Sequence, residues 1–193
     1  SEIINIDLGA IEPMIAQPHS PDNVVTVKSL KGTKVDQVCI GSCTNSSYQG
    51  LKTVATILKG KTVSDGVNLL INPGSKQVYE MISREGLISD MISSGARMLE
   101  SSCGPCIGMG GAPGSGQISV RSYNRNFQGR SGTKDAFVYL ASPVSCAVFA
   151  IKGEIVDPRE SGIKIATFEE PSKYLINRSF IIPPLKDTSD VKV

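Results

Sequence analysis

From residue 35 to residue 155, short apolar runs alternate with stretches whose apolar residues recur every three or four positions. Val35 to Ile40 is a β-branched run stopped by Gly41, the pattern of a buried strand. Leu51, Val54 and Leu58 then share one helical face behind a cap at Asn45 or Ser46. Val67 to Ile71 predicts a second strand, Pro73-Gly74 a turn, and Ser75 the start of a helix carrying Val78, Met81 and Ile82. Gly86 interrupts that period, and Leu87, Ile88, Met91 and Ile92 resume it as another short helix. Ala96 to Leu99, Gln117 to Tyr123 and Ala136 to Ala141 predict further strands, and Pro143 opens a helix over Val144 to Ile151 that Gly153 stops. Strands alternating with helices predict an α/β three-layer domain, with a mainly parallel sheet, right-handed crossovers and helices on both faces.

The flanks read differently. Residues 1–34 hold Pro13, Pro18 and Pro21 among turn formers and predict an extended N-terminal arm. Residues 156–193 hold Pro171, Pro183 and Pro184, the acidic pair Glu169-Glu170 and a polar end at Asp187 to Asp190, and predict a tail or linker. A length of 193 residues suits one domain, here 35–155, with additions. A formal charge of +2 gives no electrostatic case for a nucleic-acid or membrane partner. No apolar run approaches the roughly 20 residues that cross a bilayer, and Ser1 to Asp7 lacks the features of a signal peptide, so a cytoplasmic location is expected. The start at Ser1 without Met suggests an excised or processed chain.

Five cysteines, two of them in Cys103-Gly-Pro-Cys106, read in a reducing compartment as metal or redox chemistry and not as a disulfide framework. Cys39 falls inside an apolar strand and Cys146 on an apolar helix, so both are expected to be packing residues. Cys43, Cys103 and Cys106 remain, each in a loop. Three thiolates are one short of a closed site, which suits a centre that keeps one position open for Lewis-acid chemistry. In open α/β sheets, sites form beyond the carboxyl ends of strands, where Cys43 is expected at a helix N-terminus that favours its thiolate. Gly104 and Pro105 force a tight turn that can aim Cys103 and Cys106 at one group. Half a zinc site and a redox pair compete for the same Cys-x-x-Cys, but the one histidine, His19, lies on the arm and is expected to be exposed. Arg125 and Arg130 share a loop, and two planar forks suit a di- or tricarboxylate unless they are ordinary surface arginines.

Gly41-Ser-Cys-Thr-Asn-Ser46, Cys103-Gly-Pro-Cys-Ile-Gly108 and Ser122-Tyr-Asn-Arg-Asn-Phe-Gln-Gly-Arg130 occur in that order and closely resemble the aconitase family of iron-sulfur hydro-lyases, in particular its third domain. The resemblance spans most of residues 35–155. It implies a [4Fe-4S] cluster held at three irons by Cys43, Cys103 and Cys106, with Arg125 and Arg130 anchoring substrate carboxylates. Asn124 is then a donor to cluster or substrate, or a plain turn residue; Ser42 and Asn45, with Thr44, Ser46 and Ser47, are either donors to the cluster or ordinary caps. The family interconverts citrate and isocitrate through cis-aconitate, a step of the tricarboxylic acid cycle, and Tyr123 beside Asn124 looks more like that branch. The alternatives are family hydro-lyases acting on isopropylmalate, homocitrate or methylcitrate, and, outside the family, a non-enzymatic metal-binding or redox module. Family enzymes are several times longer and draw their acid–base groups from other domains, including a swivelling domain beyond a linker. No catalytic residue is therefore assignable in this chain, and the remaining domains of the same enzyme are its expected partners.

Overall fold

A computed structural model of the chain describes residues 3–179, 181–184, 186 and 189. Of the expected polar end, Asp187, Thr188 and Asp190 lie outside the described residues, as does Ser1. In chain order the elements are β1 (Met14–Ala16), β2 (Val24–Thr26), β3 (Gln37–Gly41), α1 (Tyr48–Leu58), β4 (Asn68–Asn72), α2 (Lys76–Arg84), α3 (Leu87–Ser93), β5 (Arg97–Met98), β6 (Ile118–Arg121), β7 (Phe137–Leu140) and α4 (Pro143–Lys152). They form one sheet in the order β2-β1-β7-β6-β3-β4-β5, parallel through β7, β6, β3, β4 and β5 and antiparallel only where β1 joins β2 and β7. The fold is α/β, as the strand–helix alternation predicts.

Alternation along each central strand separates two faces. Val38 and Ile40 of β3, Leu69 and Ile71 of β4, and Val120 of β6 point into the main core with α1 and α4. Helix α1 adds Leu51, Ile57 and Leu58, all fully buried, each of which stabilises the fold by about 1.5–3 kcal/mol relative to exposure. Helix α4 begins at Pro143 behind Ser142, whose Oγ accepts from the Ser145 amide at 3.1 Å, and ends at Gly153 in the left-handed conformation that glycine adopts without penalty. Cys146 is fully buried on α4, the packing role its sequence context predicts.

The second face departs from expectation. Helices α2, α3 and α4 all pack on α1, so they share one side of the sheet. The opposite layer is the long connection from β5 to β6, whose only regular piece among the described residues is a 3-10 turn at Pro105–Ile107. Cys39, Leu70 and Tyr123 meet Cys106 under this loop. The reason is topological: the chain must return from edge strand β5 to β6 in mid-sheet, and it crosses that face as a loop.

The arm also differs. From Met14 it is sheet, a hairpin in which Ile15 pairs with Val25, followed by a 3-10 turn from Val27 to Leu30 that buries Val27. His19 is half-buried and stacks on Phe137, with ring centroids 6.2 Å apart. After a 3-10 turn at Pro158–Glu160 the tail runs back over the helices. Ile163 and Leu175 pack on the core, and the Tyr174 ring stands edge-on to Tyr48 at 6.1 Å.

Candidate functional site

Three loops leave the carboxyl ends of the parallel strands on one side of the sheet, and side chains fasten them together. The first begins at Gly41, whose φ of +127° and close approach to the Asn72 carbonyl exclude any Cβ. Ser42 follows at φ +66°, an uncommon conformation for a residue with a side chain, and turns Cys43 outward. Ser46 Oγ donates back to the Ser42 carbonyl, closing the turn. Helix α1 is capped by Ser47, which accepts from the Gly50 amide at 3.1 Å, and not by Asn45 or Ser46. Cys43 thus lies in the connecting loop, four residues ahead of the N-cap.

Asn45 ties this loop to the arginine loop: its Nδ2 donates to the Ser122 carbonyl at 2.7 Å, while Ser122 Oγ accepts from the Gly41 amide at 2.8 Å. The β5–β6 loop is held by Asn72, whose Nδ2 donates to the Ser102 carbonyl at 3.1 Å. Ser131 Oγ donates to the Cys106 carbonyl at 3.2 Å. Gly108, at φ +91°, leaves no room for a Cβ against the Ser131 backbone and lets these loops meet closely.

Cys43 and Cys103 are exposed, and both line a cleft of about 130 Å³ with Ser42, Pro73, Gly74, Ser101 and Ser102. Cys106 does not point there. It is buried against Cys39, Leu70 and Tyr123, so the tight turn at Gly104-Pro105 sends the two sulfurs to different sides of the loop. Among the described residues no three Cys, His, Asp or Glu side chains stand close enough to hold a metal ion. All five cysteines are free thiols.

Two buried polar atoms beside these thiols lack partners. Ser101 Oγ borders the cleft of Cys43 and Cys103, and Arg130 Nε is orphaned while its Nη2 reaches to 3.8 Å from Cys106 Sγ. Buried donors without acceptors cost stability and mark where an absent acceptor belongs. Soft thiol donors with unsatisfied N–H and O–H groups at their rim fit an iron-sulfur group chemically. Asn124 and Arg125 are exposed on the same loop as Arg130, and their side chains form no hydrogen bond or ion pair with the described residues.

Residues 1–153 match the aconitase family (aconitate hydratase). The chain belongs to the aconitase family. The chain is 46% identical over 160 residues to 3-isopropylmalate dehydratase large subunit 1 of Archaeoglobus fulgidus, covering 81% of this chain and 38% of that protein. It is 44% identical over 157 residues to the corresponding large subunit 1 of Methanopyrus kandleri, covering 81% and 38%. Against large subunit 2 of Pyrococcus furiosus the identity is 42% over 156 residues, covering 80% and 40%. The chain thus spans about two fifths of the length of the curated relatives it matches. Their names are those of family hydro-lyases, and they favour the isopropylmalate alternative over the citrate reading and leave the tricarboxylic acid cycle without support.

The residue that suggested citrate has a packing role. Tyr123 is only 3% exposed, and its hydroxyl donates to Asn72 Oδ1 at 2.7 Å, so it braces neighbouring strands. Burial pushes its phenol well above the ordinary range and likewise raises the Cys39 thiol, so both stay neutral. Sequence reading missed a further set of buried polar side chains on this face, Gln37, Ser119 and Arg121. Their signal is the alternation Ile118-Ser-Val-Arg121, which puts a serine and an arginine on one side of a strand buried on both. No helix among the described residues is long and apolar enough to cross a membrane.

Proposed function

We propose that this chain is the cluster-binding part of an aconitase-family hydro-lyase that acts on isopropylmalate, with Cys43, Cys103 and Cys106 holding a [4Fe-4S] cluster. The observation that carries this reading is the fastening of three loops around the free thiols, with the orphaned Arg130 Nε and Ser101 Oγ beside them. When bound, such a cluster supplies a Lewis acid with one open iron position for a substrate hydroxyl. The chain's own residues do the rest of the binding on this side. Arg130 turns a guanidinium towards Cys106, and Arg125 offers a second fork without a partner among the described residues, an arrangement suited to the two carboxylates of isopropylmalate. Cys106 must turn its side chain out of its apolar niche to join Cys43 and Cys103.

The proton-transfer groups come from the remainder of the enzyme, consistent with a chain that spans two fifths of relatives named as large subunits. Anaerobic iron-sulfide reconstitution tests the reading: the chain is expected to take up iron and sulfide, to show a three-iron EPR signal after mild oxidation, and to lose both in Cys106→Ser. Retained zinc, or a reversible Cys103–Cys106 disulfide without a cluster, would overturn it. For the substrate, the chain joined with the rest of its enzyme is expected to turn over isopropylmalate in preference to citrate, homocitrate or methylcitrate. Preference for citrate would restore the tricarboxylate reading.

A further inference from the structure

Among the described residues Arg121 is the largest side chain that is completely buried, and no carboxylate accompanies it. It belongs to none of the ion pairs formed among the described residues. Instead its guanidinium is enclosed by neutral acceptors. Nε donates to Ser119 Oγ at 2.9 Å, Nη2 donates to Gln37 Oε1 at 2.9 Å and to the Gly111 carbonyl at 2.7 Å, and Nη1 donates to the Pro105 carbonyl at 2.5 Å. The guanidinium carbon also stands 5.7 Å from the centre of the Tyr123 ring.

Two of those acceptors are backbone carbonyls that bracket one loop. Pro105 immediately precedes Cys106, and Gly111 closes the glycine-rich segment after it, so a single planar fork fixes both ends of the stretch carrying the buried cysteine. Gln37 Oε1 and Ser119 Oγ hold the fork on the sheet, and Ser119 Oγ itself donates to Gln37 at 2.7 Å. A charge removed from water without a counter-ion is unfavourable, and neutral acceptors satisfy its hydrogen bonds but not its field. Three thiolates around an iron-sulfur core carry net negative charge, which supplies what the protein leaves out.

We infer that Arg121 is a positioning residue for the metal centre, a buried guanidinium that braces the loop from Pro105 to Gly111 and balances the negative charge of the cluster Cys106 helps to hold. The inference rests on the cluster reading given above.

Three variants of the full 193-residue chain separate brace from charge. Arg121→Met removes both, Arg121→Lys keeps the charge without the fork, and Gln37→Glu keeps the fork and sets a carboxylate beside it. After anaerobic reconstitution, the measurements are iron and sulfide per chain, the rate at which a chelator strips iron, and the midpoint potential of the bound cluster. Stripping is expected to accelerate roughly 10–100-fold in both Arg121 variants, the usual effect of losing support around a metal ligand. The potential is expected to fall in Arg121→Met and Gln37→Glu and to stay near wild type in Arg121→Lys. A merely structural arginine would leave the potential the same in Arg121→Met as in Arg121→Lys, because the two lose the same hydrogen-bonded fork and differ in charge. Wild-type iron retention and an unchanged potential in the variants would overturn the inference while leaving the cluster reading intact; a wild-type chain that takes up no cluster would overturn both. Should Arg121→Met fail to show a folded far-UV circular dichroism spectrum, Gln37→Glu and Arg121→Lys decide the matter by the same measurements.

Discussion

Gly41→Ala tests the join between sheet and site. At φ +127° an alanine sits where side chains are strained by roughly 1–3 kcal/mol. Its Cβ would also stand 1.9 Å from the Asn72 carbonyl oxygen, more than 1 Å inside the 3.0 Å that such contacts keep, and backbone must move to relieve it. The backbone that moves belongs to the partner of Gly41 in the β3–β4 ladder. Asn72 carries two further hydrogen bonds, from the Tyr123 hydroxyl and to the Ser102 carbonyl, each worth about 0.5–1.5 kcal/mol net. Together these terms predict a loss of roughly 2–6 kcal/mol, a large share of the 5–15 kcal/mol typical of a domain. Gly60→Ala is the control. It has a similar left-handed backbone, φ +67°, with nothing near its would-be Cβ, and is expected to cost only about 1–2 kcal/mol. Urea unfolding of the metal-free chains separates them: at an unchanged slope of ~2 kcal/mol per molar, the midpoint falls by about 1–3 M for Gly41→Ala and about 0.5–1 M for Gly60→Ala. Equal losses in the two variants would refute the argument from close approach.

Tyr123→Phe leaves Asn72 Oδ1 buried without its donor and is expected to lower stability by about 1–3 kcal/mol in the same urea assay. At alkaline pH, Cys146 and Tyr123 stay neutral in the folded chain because burial raises both, whereas the unfolded chain ionises them near their ordinary values of 9.0 and 10.0. Unfolding therefore releases protons above pH 9, and stability is expected to decline from there upward; Cys146→Ala should delay the onset, as read by urea midpoints against pH. At acid pH the sign reverses: hydrogen bonds from Arg159 hold the buried Asp157 carboxyl below its ordinary 3.8, so its contribution is present above that value and lost as pH falls through the lower folded value. Asp157→Asn is expected to flatten the acid limb of the same curve.

The central sheet is legible because its strands are apolar runs ended by glycine or a turn, and the helices because their apolar periods fall between caps such as Ser75 and Ser142. The cap of α1 is not, since Asn45, Ser46 and Ser47 all carry capping side chains in succession and only tertiary bonds decide which is left for the helix. The hairpin is hidden by Pro13, Pro18 and Pro21, which read as an arm although prolines beside short edge strands are compatible with a sheet. At the site, the cysteine and arginine motifs are visible as text, but the direction of each thiol is not. Cys103 and Cys106 lie three positions apart, yet one faces a cleft and the other the sheet, a consequence of what Pro105 and Gly108 each pack against.

The polar face of the sheet follows from what covers it. Parallel strands buried by helices on both sides usually read as continuous apolar runs, because a helix satisfies its own carbonyls. Here the second face is covered by a loop, and a loop brings carbonyls that need donors. Beside the apolar Cys39 and Leu70, that face presents Gln37, Asn72, Ser119, Arg121 and Tyr123, and between them they reach the carbonyls of Ser102, Pro105, Gly111 and Ala112. A helix in that position would have let those strand positions be valine or leucine, and would have held the cysteine segment in a repeating geometry. The loop instead permits one cysteine to face out and another in, and the polar strand residues supply the rigidity that the missing helix does not. The alternation within β3 and β6 is therefore the mark of a sheet built to hold a loop in place, and the loop it holds is the one that carries Cys103 and Cys106.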